Sequence, residues 1–418
     1  MPFFSRFFTG SKEQKLPSLA ELLEVRGLQP EIPGLDDAFI QGFDTLKARE
    51  RESAADAIAS LFKQGLPLPP PWHDAQHELL PQIVPTWQGE RDPYYYRPCF
   101  DNLCKRILFA GEPVPPEWFK IWDISEDDVM DLAMEHLEEV TKEKSFVRLS
   151  SGIYCSNFSD GLDASRILLP MCWNQLFLGQ NTFVAIPKQN TLLVSPQVLL
   201  PKLAEAIGAA INDTSSDILV VTMYQWVDNK LMPASLQDPH PMIQPQREFR
   251  QMDLMAAYNA QAAELAKMQI GEPCPLGVIR TQQGRTLTMT SWMEGKPALV
   301  PDSDVIGFIS STGRPLGLYW RQTLPRLQRI QGTPVEIWGP RRLRFEEFPS
   351  ADELEELECL ASADVHAQII SPGAAQQGRP AQGRPQSEQS QAASASVSSN
   401  SPVPAHLRGL SLGSQNDD

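Results

Sequence analysis

The sequence predicts an α+β protein of several parts. Apolar residues recur at helical spacing over residues 17–65 and 125–144, and runs rich in Val, Ile, Tyr and Trp, broken by short turns, occupy much of 146–345. At 418 residues the chain also exceeds what one hydrophobic core usually organises, so a multi-domain build is expected.

Taken in order, residues 1–16 open with "MPFFSRFF", a flexible peptide whose four phenylalanines could dock on the body or on a membrane surface. They carry no basic leader, long apolar stretch or cleavage site, and no run approaches a bilayer span, so the expected location is the cytoplasm. Residues 17–72 form a helical segment and a connector. Ser18 caps "LAELLEV" and Gly27 ends it; "LDDAFIQGFDTLKARERESAADAIASLFKQG" then reads as helix to Gly65, with Phe39, Phe43, Leu46, Ile58, Leu61 and Phe62 inward. "LPLPPPW" cannot continue a helix, because its prolines lack amide donors, and it predicts an extended domain boundary.

Residues 73–245 predict a central α+β domain. Ser125 caps a helix whose stripe is Val129, Leu132, Ala133, Leu137 and Val140, with His136 beside it. "SFVRLSSGIYCSNF" reads as extended, "NTFVAIPKQNTLLVSP" as a hairpin, "LLPKLAEAIGAAI" as a helix, and "DILVVTMYQWVDNKLMPA" as two strands turning at Asp228 and Asn229. Residues 246–370 predict a second α+β domain: a helix with Phe249, Leu254, Met255, Tyr258, Ala262 and Leu265 inward, three β-hairpins, and a helix capped by Ser350. Residues 371–418 predict a disordered tail, since Ser371–Pro404 contains no aromatic residue, Ile or Leu.

Charge and cysteine usage exclude several classes. A net charge of -16 makes nucleic acid an unlikely ligand for the whole chain, yet residues 276–345 hold nine arginines and Lys296 against four acids, a local +6. Arg285, Arg314, Arg341 and Arg342 follow glycines in the three hairpin turns; one antiparallel sheet would gather them as a contact for an anionic partner, the bland alternative being a basic domain docked on its acidic neighbour. Six scattered cysteines without C-x-x-C spacing point to free thiols and no zinc cluster.

Four residues of "NFSDGLDASRILLP" offer the best catalytic candidates: Asp160, Asp163, Ser165 and Arg166. Against chemistry, Ser165 has no histidine near in sequence, and the carboxylates lack metal-ligand companions. The favoured reading is a folding device, with Asp163 or Ser165 capping the following segment and Arg166 pairing Asp160 or Asp163. His73 and His77 stand one turn apart in "HDAQHE", but Asp74 replaces the glutamate of a zinc-protease helix and no third ligand follows, so neither metal nor cofactor is expected.

"DGLDASRIL", with "SEDDVMDLAMEHLEEVT" before it and "FVAIPKQNTLLVSP" after it, resembles the YtpQ-like proteins, an uncharacterised bacterial family carried as a domain of unknown function. The likeness covers roughly residues 78–240. It implies a cytosolic α+β domain and gives no catalytic residues. At the far end, Leu407, Leu410, Leu412 and Gly413 form an apolar docking peptide within 405–414, and "LSLGS" is similar to the peptides that load cargo into encapsulin shells. The leading expectation is a non-catalytic adaptor recruited through this peptide; the alternatives are an unrecognised hydrolase using Asp160, Asp163 or His136, and an encapsulin-type cargo.

Overall fold

The computed structural model describes residues 16–360 except 30–34, 36, 143–145, 175, 177–180, 215–216, 229, 238–239, 283 and 328, together with the strand 365–366. Residues 1–15 and the predicted tail 371–418, with Leu407, Leu410, Leu412 and Gly413, lie outside these. The fold is α+β. Among the described residues no helix is long and apolar enough to cross a membrane.

The chain forms two compact units. The first comprises Met1–Gln82, Asp92–Arg97 and Lys105–Lys142, the second Ile83–Arg91, Pro98–Cys104 and Glu143–Asp418. This division differs from the expected boundaries at 72 and 245.

In chain order, the elements up to residue 142 are helices α1 (Leu19–Val25), α2 (Asp37–Asp44), α3 (Ala48–Gln64) and α4 (Trp72–Ala75), strand β1 (Leu79–Pro85), helix α5 (Thr86–Arg91), strands β2 (Arg97–Phe100), β3 (Leu103–Phe109) and β4 (Glu112–Pro113), and helices α6 (Glu117–Trp122) and α7 (Glu126–Thr141). Ser18 starts α1 through a full capping box, its Oγ accepting from Glu21 N while Glu21 Oε2 accepts from Ser18 N at 2.8 Å. The helix predicted from Leu35 to Gly65 is two helices, because Thr45 Oγ1 donates to the Gly42 carbonyl and Glu50 recaps the chain at Lys47. Gly65 then closes α3 at φ +68°, a conformation that favours glycine. In α7 the buried stripe is Val129, Met130, Ala133 and Leu137, whereas Val140 is exposed.

The proline stretch 66–71 is not a free linker. Leu66, Leu68 and Trp72 pack against Trp118 and Phe119 of α6, while Trp118 Nε1 and Trp122 Nε1 donate to the carbonyls of Pro67 and Pro70. Prolines cannot donate, but their carbonyls accept, and the indoles use them.

The second unit is organised first by strands β5 (Phe146–Arg148), β6 (Tyr154–Ser156), β7 (Thr182–Lys188), β8 (Thr191–Pro196), β9 (Val220–Val227) and β10 (Lys230–Pro233), antiparallel in the order β10-β9-β7-β8-β6-β5. Between them lie a 3-10 helix (Ala164–Leu168), α8 (Pro170–Asn174) and α9 (Leu200–Asn212). Strands β7 and β8 are buried along their whole length, which is why they read as continuous apolar runs rather than alternating ones. Leu203 and Ile207 of α9 cover one face beside Phe183 and Leu193; Ile167 and Trp173 cover the other beside Val184 and Val194. The "DGLDASRIL" stretch is therefore a lid over one face of the sheet.

Helix α10 (Ile243–Met268) follows, then β11 (Glu272–Pro273), β12 (Leu276–Thr281), β13 (Thr286–Met293), β14 (Ala298–Pro301), β15 (Val305–Ile309), β16 (Pro315–Trp320), β17 (Thr333–Pro334), β18 (Arg342–Phe345), α11 (Ala351–Glu355) and β19 (Val365–His366). They make two sheets, β11-β14-β18-β17 and β16-β15-β13-β12-β19, around a core of Trp292, Phe308, Tyr319, Phe345 and Leu354. Phe249 of α10 packs in the β7–β9 core while Met255 and Tyr258 pack on Leu276 and Val278 of β12, so one helix serves both the central and the C-terminal sheets.

The three predicted hairpins form, but not as one antiparallel sheet. β13 and β15 pair in parallel, Met289 opposite Val305 and Met293 opposite Ile309, and the third hairpin belongs to the other sheet. Arg285 precedes the start of β13 and Arg314 follows the end of β15, so these tips leave from opposite ends of the parallel pair.

Candidate functional site

Asp160, Asp163, Ser165 and Arg166 come together over the β7–β8 face, and their bonds are internal. Gly161 turns the chain at φ +75°, and Asp160 Oδ1 accepts from Leu162 N at 3.0 Å, an Asx turn. The fully buried Arg166 guanidinium then reaches back to the same carboxylate, Nη1 to Oδ1 at 2.9 Å and Nη2 to Oδ2 at 2.7 Å, and lies 3.8 Å over the Phe158 ring. The Arg166 carbonyl accepts from Trp173 Nε1 at 3.1 Å.

Neither expected cap forms. Asp163 has helical backbone angles at the start of the 3-10 helix and its Oδ1 accepts backward, from Phe158 N at 3.2 Å. Ser165 Oγ accepts from Ile83 N at 3.2 Å, fastening the helix to a distant segment of its own unit. Burial pushes the Asp163 carboxyl above the ordinary range, against the Ser156 hydroxyl and Phe158 amide that favour its charge. With Asp163 1% exposed and Ser165 and Arg166 at 0%, no substrate reaches three of the four candidates.

The histidines are equally unpromising for chemistry. His136 Nδ1 is bonded to the Leu79 carbonyl at 2.9 Å. His73 and His77 are not on one helix, because α4 ends at Ala75, and His73 pairs with Asp74. Among the described residues no three His, Cys, Asp or Glu side chains converge to hold a metal. All six cysteines are free thiols, and burial pushes Cys155 and Cys274 up to about 12.

Of the four basic candidates, Arg285, Arg314 and Arg341 are exposed, whereas Arg342 is buried and cannot contact an anionic partner. Its Nε donates to Gln261 Oε1 at 2.9 Å, Nη1 to the carbonyls of Cys274 (2.9 Å) and Leu299 (2.8 Å), and Nη2 to that of Tyr258 (3.0 Å). Arg342 heads β18 and faces Gln261 and Tyr258 of α10, while Phe345, an odd number of residues on, faces the opposite side with the Trp292 core.

Sequence reasoning missed a cavity of about 570 Å³ in the second unit, between the first turn of α5, the start of β9 and the middle of α10. Leu219, Val221, Met252 and Met255 supply apolar wall, with Asp253 beside them. Asp253 accepts from Val221 N (2.8 Å), Thr222 N (2.9 Å) and Thr222 Oγ1 (2.6 Å), so two consecutive amides aim at one carboxylate where β7 and β9 slip register. Burial nonetheless pushes its carboxyl up to about 6. A signal did exist: Phe249, Asp253, Ala257, Gln261 and Leu265 follow one another at four-residue steps, placing an acid and an amide in an inward stripe.

The fold and these sites define an α+β protein with a buried arginine clasp and a separate cavity. Comparison with protein-family models, curated proteins and solved structures yields no match.

Proposed function

We propose that the chain is a non-catalytic interaction protein of the cytoplasm, recruited to a protein partner through residues 405–414. The observation that supports this reading is the burial of Asp163, Ser165 and Arg166 in bonds to their own loop and sheet, which leaves the most reactive-looking stretch of the sequence serving the fold. Asp160 and His136 are likewise committed, to Arg166 and to a backbone carbonyl. The kinship to YtpQ-like proteins belongs to the same proposal. Leu407, Leu410 and Leu412, beyond a stretch of 34 residues, Ser371–Pro404, without Leu, Ile or aromatic side chains, suit a peptide that enters an apolar groove, and an encapsulin shell is the particular groove that "LSLGS" suggests. Affinity capture with the full chain, a chain ending at Ile370, and the double change Leu410→Ser/Leu412→Ser tests this. A partner retained only by the unaltered full chain supports the reading; equal recovery by all three overturns it.

A further inference from the structure

The cavity beside α10 has the size of a small-molecule site and one consistent chemistry. Drug-sized ligands occupy pockets of roughly 300–1,000 Å³ with mostly apolar walls and a few convergent polar groups, and this one encloses about 570 Å³. Its charged lining is lopsided: Glu90, Asp101 and Asp253 face it against Arg250 alone. Arg250 neutralises none of them in a salt bridge; its guanidinium donates to the Ala234 carbonyl at 3.3 Å. Glu90 Oε2 accepts from Gly339 N at 2.7 Å, and neither Glu90 nor Asp101 has a cationic partner among the described residues. Trp87 also lines the cavity, its indole stacked on Trp338 at 5.7 Å and carrying the Arg91 guanidinium 5.3 Å from its centroid, so it supplies apolar wall. Thr86 also lines the wall, its hydroxyl buried with no hydrogen-bond partner among the described residues.

We propose that this cavity binds a small organic ammonium ion with an apolar body, the cation held by Glu90 and Asp101 and the body laid on Val221, Met252 and Met255. The site is independent of residues 405–414 and stands or falls without the partner-recruitment reading.

The test uses the full chain titrated with n-hexylamine, n-hexanol and sodium hexanoate at one pH and ionic strength, followed by Trp fluorescence and calorimetry. Hexylamine is expected to bind, with hexanoate at least about ten-fold weaker, the ratio that about 1.4 kcal/mol represents. Asp101→Asn/Glu90→Gln should weaken hexylamine at least about five-fold, and these near-isosteric changes of exposed side chains keep the fold. Ala256→Trp, an exposed position of α10 on the cavity wall, should abolish binding by filling the space. A lysine-bearing peptide run beside hexylamine distinguishes a side-chain ammonium from a free amine: tighter binding of the peptide overturns the small-molecule site. So does hexanoate binding as tightly as hexylamine, hexylamine binding unchanged by Ala256→Trp, or no binding of any probe.

Discussion

Arg166 and Arg342 are both fully buried in the second unit, yet among the described residues one has a carboxylate partner and the other has none. Arg166 returns both terminal nitrogens to Asp160, six residues earlier, and rests on Phe158, so its charge is neutralised within one loop. Among the described residues Arg342 meets only neutral acceptors, the Gln261 amide and the carbonyls of Cys274, Leu299 and Tyr258, and lies 4.8 Å from the Tyr258 ring. Burial accordingly pushes the Arg342 guanidinium down from its ordinary range. The first arrangement staples a loop to a sheet; the second ties α10 to β14 and β18, because one planar fork reaches four acceptors on separate elements at once.

The largest expected effect is therefore at Arg342. Arg342→Met should lower the unfolding free energy by about 4 kcal/mol in denaturant titrations, since it removes four buried hydrogen bonds at once, and Arg342→Lys should restore less than about half, an ammonium lacking the fork. Arg166→Met should cost about 3 kcal/mol, and adding Asp160→Asn should recover at least about 1 kcal/mol by removing the stranded charge. If the second change recovers nothing, the ion pair is not what distinguishes the two sites.

Next comes the pH dependence carried by Asp253. Its folded carboxyl lies near 6 against an ordinary 3.8, so the native state binds this proton more tightly than the unfolded chain does. The contribution is fully present below about pH 4 and is lost as pH rises to about 6. The stability of the unaltered protein relative to Asp253→Asn should fall across that interval by at most about 3 kcal/mol; a difference that rises instead reverses the sign.

A smaller loss, about 1 kcal/mol, is expected for Asp163→Ala, which unpairs the buried Phe158 amide, and a thermal melt measures it. Smallest of all, Arg285→Ser and Arg314→Ser should each change stability by under about 0.5 kcal/mol. Because their hairpins leave opposite ends of one sheet, their effects on binding a polyanion such as heparin should simply add; marked cooperativity would mean that one ligand bridges both.

Starts of helices were legible in the sequence because capping is local. Ser18, Ser125 and Ser350 each hold the amide three residues on, and only the residues between them matter. The hairpins at Gln189–Asn190, Gly284 and Gly313 were legible for the same reason, as was the pairing of Arg166 with an aspartate in its own loop. Tertiary structure alone decided that Asp163 binds backward, that Ser165 meets Ile83 across 82 residues, and that the hairpin arginines separate. It also decided that Arg342 belongs to the core, held by a carbonyl 84 residues away. Sequence spacing marks Arg341 and Arg342 as adjacent basic residues in a turn; strand alternation sends one to solvent and the other inward, and which face is covered depends on β14 and α10, elements far along the chain.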